Sequence, residues 1–217
     1  LIIGLPGDTF ESFKNSVNEL ISIGQHFRVQ FNNLSILPNA EMAKPDYMKR
    51  NEILTTEIPI VNMHGSLEDE PEDGIKETQE MVISTKDMPA KDWIKTRTFA
   101  TLAEFYYFNK ILQIPIILIN KLTKIKFSEI FQFLYSIRDD KNFPIITKVN
   151  KIFEDHSIGI TEGGTEFIYS EKWHNIYWPP GEYAMIKLFE NKELEQFYNE
   201  AKFLINSYVN KNYLSKY

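Results

Sequence analysis

The sequence contains no cysteine among its 217 residues. Cysteine side chains form disulfides, hold structural zinc, act as nucleophiles and ligate iron–sulfur clusters. All four are therefore excluded as properties of this chain by itself. Any iron–sulfur cluster associated with the chain must take its cysteine ligands from elsewhere.

Long apolar runs and an excess of positive charge are also lacking. The longest apolar run, residues 114–119, has six residues, whereas a membrane-spanning helix needs about 20. The 24 basic and 30 acidic residues give a net charge of −6, and a surface that binds nucleic acid usually carries a basic excess. We therefore expect no membrane span, no nucleic-acid partner and a cytoplasmic location.

The residues that are present are ordinary for a globular protein. Apolar residues make up 43% of the chain and charged residues 25%, which excludes a wholly disordered chain. The length suits one domain with an appendage or two small domains. A shift in composition near residue 85 predicts an α/β part over residues 1–85 and a mostly helical C-terminal domain over residues 86–217.

The chain opens on a short apolar segment, residues 1–4, with no initiator Met. We interpret this segment as a buried strand entered partway through a longer protein, so the chain is expected to be a C-terminal fragment. Apolar residues at helical spacing then predict a helix near residues 9–23. Asp8 or Thr9 is expected to cap this helix, and Gly24 follows its end.

A second strand is predicted between Phe27 and Leu37, where apolar residues recur. Strand, helix and strand at this spacing form a βαβ unit, which requires parallel strands and a right-handed crossover. Weaker extended segments are expected at residues 55–63 and 80–84. The acidic run at residues 68–73 is expected to be a solvated loop.

Beyond residue 90 the pattern is mostly helical. Helices are predicted over residues 90–111, 116–122, 127–137, 145–153, 182–189 and 192–208. The aromatic residues expected to be buried between them are Trp93, Phe99, Phe105, Phe131, Phe133, Phe197 and Phe203. His156 follows two acidic residues, and we interpret it as a surface histidine rather than a metal ligand.

The turn from Gly4 to Thr9 is a candidate binding site because it joins a buried strand to a helix. Glycines there would let a ligand approach the backbone, and the helix N-terminus favours an anionic group. The segment matches neither the Walker pattern nor GxGxxG. From spacing alone, a plain turn between strand and helix is the simpler interpretation.

The order of residues in three segments allows a more specific comparison. Residues 1–13 (LIIGLPGDTFESF) resemble the "GLPGET…SF" segment of radical S-adenosylmethionine (SAM) enzymes, and residues 33–42 (NLSILPNAEM) resemble the strand that follows in that superfamily. Residues 82–93, the long aromatic helix and residues 178–183 are similar to the C-terminal region of radical SAM proteins that carry a cobalamin-binding domain.

The resemblance implies a fold and a reaction. The α/β part would be the last strands of a partial (β/α) barrel, a barrel remnant followed by the helical domain. In the full protein an iron–sulfur cluster would cleave SAM for radical chemistry such as methylation or rearrangement, with cobalamin as a possible second cofactor. This chain lacks the cluster cysteines and would be inactive alone. Its expected partners are the upstream barrel and a cobalamin-binding domain of the same protein.

The resemblance also assigns cofactor-binding residues. Residue by residue, it places one set beside SAM near its adenosyl or methionyl part and a second set beside the adenine. The first set is Gly4, Leu5, Pro6 and Gly7, and the second is Leu34, Ile36, Leu37 and Pro38. Asp8 stands where family members often have glutamate, which puts a direct ligand role for it in doubt.

Two other classes of function stay open at this point. One is a non-catalytic helical interaction or capping domain that kept a barrel remnant. The other is a small α/β nucleotide-binding protein. The substrate, the reaction outcome, the use of cobalamin and the oligomeric state do not follow from the sequence.

Overall fold

The computed structural model describes residues 1–66, 74 and 77–213, with the side chains of the last two left aside. The acidic run at residues 68–73, which the sequence analysis interprets as a solvated loop, lies outside the described residues. Within the described part the protein is a mixed α/β structure with small sheets and a majority of helix.

The chain begins with the predicted βαβ unit. Strand β1 (Ile2–Ile3) pairs in parallel with β2 (Asn32–Asn33), and helix α1 (Phe10–Ser22) connects them. Helix α1 buries four residues at helical spacing, namely Phe10, Phe13, Val17 and Ile21. The prediction of two parallel strands joined by a helix is confirmed.

Helix α1 begins with a capping box. Thr9 accepts a hydrogen bond from the backbone N–H of Ser12, and the Ser12 hydroxyl accepts one from the backbone N–H of Thr9. Thr9 is therefore the N-cap. Asp8 instead accepts a hydrogen bond from the Ser12 hydroxyl at 3.0 Å, which supports the same turn.

We expect a Thr9→Ala substitution to lower the free energy of unfolding by about 1 kcal/mol, because it leaves an N-terminal N–H of the helix without its acceptor. Urea denaturation of the chain measures this loss. Ser22→Ala is the matched control, since the Ser22 hydroxyl donates to the Asn18 carbonyl within its own helix and caps no helix N-terminus. An equal loss in both variants would show that the capping box adds nothing.

The predicted second strand is in fact two short pieces. Residues 27–31 are not a strand, and β2 is followed by β3 (Ser35–Ile36), which pairs antiparallel with β5 (Thr78–Ser84). Leu34 links the two pairings, because its N–H bonds Ile3 and its carbonyl accepts from Val82. Strand β4 (Leu54–Pro59) pairs antiparallel with β5 at the far edge. The chain thus leaves the parallel pair and continues into an antiparallel sheet.

The remainder of the described chain is mostly helical. A short 3₁₀ turn (Glu41–Ala43) and α2 (Pro45–Arg50) precede the antiparallel sheet. After it come α3 (Ala90–Ala103), a π-helical turn (Glu104–Phe108), α4 (Gln113–Thr123), α5 (Phe127–Ser136), α6 (Pro144–Thr161), the hairpin β6 (Ile168–Ser170) and β7 (Ile176–Trp178), α7 (Pro180–Glu190) and α8 (Leu194–Tyr213). Helix α6 runs to Thr161, eight residues beyond the end of the helix predicted over residues 145–153.

One apolar core joins the βαβ unit to the helices. It contains Ile3 and the buried face of α1 together with the buried residues of α3, α5, α6 and α8. Five of the seven aromatic residues expected in this core are fully buried, but Phe133 is only partly covered and Phe203 is 63% exposed. Phe203 lies at the middle of the last helix on its exposed side, where the Phe143 ring contacts it with 5.9 Å between the ring centroids. The domain boundary near residue 85 stays a prediction.

Among the described helices, no single one is long and apolar enough to cross a membrane. Only the pair Ala90–Phe108 and Gln113–Thr123 passes the length and composition criteria jointly, and it is bent by 95°. The cytoplasmic location stays a prediction.

Candidate functional site

The carboxyl ends of β1 and β2 lie side by side. Ile3 is level with Asn33 in the parallel register, and the carbonyl of Ile3 accepts the Leu34 N–H at 3.0 Å. The chain therefore leaves β1 at Gly4 beside the point where it passes Leu34. This edge, at the carboxyl ends of parallel strands, is where ligands bind in α/β folds.

The sequence-predicted residues follow the ends of β1 and β2 along the chain and differ in their exposure. Gly4 is buried, Leu5 and Pro6 are half-buried, and Gly7 is exposed. In the second set Leu34 and Ile36 are half-buried, while Leu37 and Pro38 are exposed. Ile36 already pairs with Glu80 of β5, so it stands one step away from the β1 end. The assignment of these residues to SAM stays a prediction.

Gly4 and Gly7 shape the turn between β1 and α1. Both have positive φ angles, +95° at Gly4 and +90° at Gly7, which side-chain-bearing residues rarely adopt. A Cβ at Gly4 would contact the Trp93 indole and Val82 at 3.4 Å, whereas a Cβ at Gly7 would meet nothing within 4 Å. The turn is thus closed on the Gly4 side and open on the Gly7 side.

Because of this difference, enlarging the side chain should change the free energy of unfolding unequally at residues 4 and 7. We expect Gly4→Ala and Gly7→Ala each to lower the free energy of unfolding by about 1–2 kcal/mol, since both force alanine into positive φ. Enlarging the side chain to leucine should cost more only at residue 4, where Trp93 blocks it. Urea denaturation of the four variants measures both steps, and an equal penalty for leucine at both positions would contradict the closed and open sides.

A network of side-chain hydrogen bonds begins at Asn33, at the end of β2, and joins residues that are far apart in the sequence. Asn33 donates to Glu166 at 2.7 Å, and Gln79 donates to the other oxygen of the same carboxylate at 3.1 Å. Ser35 in turn donates to Gln79 at 2.6 Å. The side-chain amide oxygen of Asn33, Oδ1, is buried and has no hydrogen-bond partner among the described residues. No sequence motif marks these residues, because the network joins positions more than 130 residues apart.

Helix α3 adds two buried donors one turn apart. The Trp93 indole N–H has no partner in the described part of the chain, and neither have Nε and Nη1 of Arg97. Arg97 is only 6% exposed. Burial lowers the pKa of Arg97, and the negative charges of Glu104 and Glu166 partly oppose this effect. No described carboxylate lies within ion-pair distance of the guanidinium, so a buried cation is left without a direct counter-ion.

Glu104 lies on the same face of the helix as Arg97, at the point where α3 ends and the π-helical turn begins. Burial raises the pKa of its carboxyl group, while the positive charges of Arg97 and Arg28 lower it. The turn is defined by the Asn109 N–H, which bonds the Glu104 carbonyl at 2.8 Å. Such single π-turns are frequent at functional sites. We take the strand ends together with Trp93, Arg97 and Glu104 as the candidate site.

The side chains of this site are suited to binding a ligand rather than to making or breaking its bonds. Unpartnered N–H donors and a guanidinium suit an anionic or carbonyl oxygen, and the exposed apolar residues beyond Leu34 suit a flat ring. In the described residues no three histidines, aspartates or glutamates stand close enough to hold a metal ion. With no cysteine in the chain, the donor set does not fit an iron–sulfur cluster.

Comparison with known proteins finds methyltransferases that are similar to part of the chain. No family model matches it. About half of its length is similar to a cobalamin-dependent radical SAM methyltransferase, which confirms the resemblance to radical SAM enzymes over that half.

One relative is the cobalamin-dependent radical SAM methyltransferase TokK of Streptomyces tokunonensis. The two chains are 32% identical over 108 residues, which is 49% of this chain and 15% of TokK. A second is the 2-(S-pantetheinyl)-carbapenam-3-carboxylate methyltransferase of Streptantibioticus cattleyicolor, 28% identical over 108 residues, again 49% of this chain and 15% of the relative. The matched stretch is thus a small part of each curated relative.

Proposed function

We propose that this chain is the C-terminal part of a cobalamin-dependent radical SAM methyltransferase and that its strand ends form one wall of the SAM site. The observation that carries the proposal is the position of Gly4 and Leu34 side by side where the parallel pair β1 and β2 ends, with residues 5–7 and 35–38 following them along the chain. The similarity to two methyltransferases over half of the chain supports it.

The residues of this chain would position the cofactor rather than react. When bound in the full-length protein, SAM, the iron–sulfur cluster and cobalamin would supply the radical and the methyl group. The open backbone at Gly7 lets a ligand approach closely, and the apolar side chains of Leu34 and Leu37 can cover a flat ring and exclude water. Arg97 and the Trp93 indole N–H lie on the buried side of this wall.

The chain by itself is expected to bind SAM weakly, because it holds no cluster to bind the methionyl end. Calorimetry of the isolated chain that gave micromolar affinity for SAM would instead favour an independent nucleotide-binding protein.

The proposal is tested in the full-length protein, prepared anaerobically. We expect Leu37→Asp to weaken SAM binding by roughly tenfold or more, because it sets a carboxylate against an apolar ring. Leu37 is 67% exposed, so the substitution leaves folding intact. Leu122→Asp is the matched control, since Leu122 is 71% exposed on α4.

Equilibrium binding of SAM and the rate of SAM cleavage are the two measurements. Normal binding by Leu37→Asp would exclude this wall from the cofactor site. Absence of SAM cleavage by the unmodified protein would favour the non-catalytic interaction domain.

A further inference from the structure

Helix α4 carries apolar side chains on its solvent side as well as on its buried side. Ile116 and Ile119 are buried in the core. On the solvent side, Ile114 is 72% exposed, Leu118 52% and Leu122 71%. These three residues are spaced four apart, so they line one face of the helix, which we call the α4 stripe. A helix on the surface of a globular protein normally turns polar residues outward, so this face is built to be covered.

Lysines accompany the α4 stripe, and acidic residues do not. Over residues 105–128 the charged residues are Lys110, Lys121, Lys124 and Lys126. All four are exposed. Glu129, the next charged residue, offsets only one of these four positive charges. The protein has a net charge of −6, so this segment has the opposite sign to the chain as a whole.

The segment before β2 extends this surface at the first turn of α4. The Gln113 side chain donates a hydrogen bond to the backbone carbonyl of His26 at 2.8 Å, which holds Phe27 near the start of the helix. Phe27 is 74% exposed, and the ammonium group of Lys110 lies 5.8 Å from the centroid of its ring. Aromatic and apolar side chains next to lysines are typical of helices that lie at the boundary between lipid headgroups and acyl chains.

We propose that Phe27, the α4 stripe and the four lysines bind the surface of a membrane that contains anionic lipids. The apolar side chains enter the headgroup boundary, and the ammonium groups pair with lipid phosphates. A protein partner fits less well, because lysine is depleted at protein–protein interfaces. With 11 residues, α4 lies on the membrane and does not cross it. This inference does not rest on the proposed function, because it involves neither the strand ends nor SAM.

Co-sedimentation of the full-length protein with lipid vesicles tests the proposal. Vesicles of phosphatidylglycerol and phosphatidylcholine in equal parts should bind the protein. Vesicles of phosphatidylcholine alone should bind it at least roughly tenfold more weakly, because each lysine near an anionic surface strengthens binding about fivefold. Equal binding to both vesicles would overturn the proposal. So would the absence of binding to the anionic vesicles, which is the result expected if another part of the full-length protein covers the stripe.

An Ile114→Asp substitution tests the α4 stripe. Ile114 lies in the first turn of α4, where a carboxylate is favourable, so the helix stays intact. Binding to the anionic vesicles should fall at least roughly tenfold, because the carboxylate resists burial among headgroups and is repelled by their charge. Ile60→Asp makes the same change at an isoleucine that is 47% exposed outside the stripe and should bind normally. Equal losses in the two variants, or normal binding by Ile114→Asp, would overturn the proposal.

A pair of lysine substitutions tests the charges. Lys121→Gln combined with Lys124→Gln should weaken binding to the anionic vesicles roughly 20-fold. Lys91→Gln combined with Lys151→Gln removes the same charge at exposed lysines of α3 and α6 and should weaken binding less than roughly fivefold. Normal binding by the first double variant, or an equal loss in both, would overturn the proposal.

Discussion

Replacement of Arg97 by methionine is expected to raise the free energy of unfolding of this chain by about 1 kcal/mol, because desolvation of the cation outweighs its attraction to Glu104 and Glu166. A buried cation loses its hydration on folding, and Arg97 recovers little of that loss, because Nε and Nη1 have no partner among the described residues. Methionine fills a similar volume without charge, so folding no longer carries the cost of desolvation.

Arg138→Met is the matched control for this substitution. Arg138 is partly exposed, bonds Glu154 at 2.9 Å and lies over the Tyr135 ring. Its removal should lower the free energy of unfolding by less than about 1 kcal/mol. Urea denaturation of both variants of the isolated chain measures the two effects. A marked loss of stability in Arg97→Met would show that the guanidinium already has a stabilising partner, such as ordered water.

In the full-length protein, Arg97→Met should change the free energy of unfolding and the catalytic activity in opposite directions. If Arg97 is kept for recognition, Arg97→Met should be more stable and less active. Natural proteins commonly retain such costs at functional sites. Full activity in Arg97→Met would assign the residue to folding alone and would leave the wall formed by the strand ends unaffected.

The parallel strand pair follows directly from the sequence because its signals are local. The apolar start, the turn at Gly4 to Thr9, the helical spacing in α1 and Gly24 all lie within 24 residues, and Gly24 has the positive φ of +105° typical of a residue after a helix. The long aromatic helix is equally local. Its widening at Glu104 has no comparable signal, because ordinary helix formers occupy that turn.

The polar half of the candidate site depends on contacts between distant segments. Arg97 looks like any helical arginine in the sequence, and its burial follows from the packing of α3 against α1, α5 and α6. Glu166 reaches Asn33 only when the segment before β6 returns to the first sheet. His156 stands beside acidic residues in the sequence, yet its ring turns inward towards Thr165 and the residue is half-buried, so the expectation of a surface histidine is wrong. Composition and periodicity carry no information on such pairings.

Acid should lower the free energy of unfolding by more than the titration of surface groups alone would, because His156 is held neutral in the folded state. Burial and the positive charge of Arg97 lower its pKa to about 3, against the ordinary value of about 6.5. As the pH drops below about 6.5 the unfolded chain takes up a proton that the folded chain refuses. The free energy of unfolding then decreases by up to about 1.4 kcal/mol per pH unit until the pH nears 3.

A His156→Gln variant isolates this contribution. Glutamine does not titrate, so the variant should lose about 2 kcal/mol less stability than the unmodified chain between pH 7 and pH 5. Urea denaturation at several pH values gives the slopes directly. Parallel slopes for the unmodified chain and His156→Gln would mean that the imidazole takes up its proton in the folded state as readily as in the unfolded chain, so that burial does not hold it neutral.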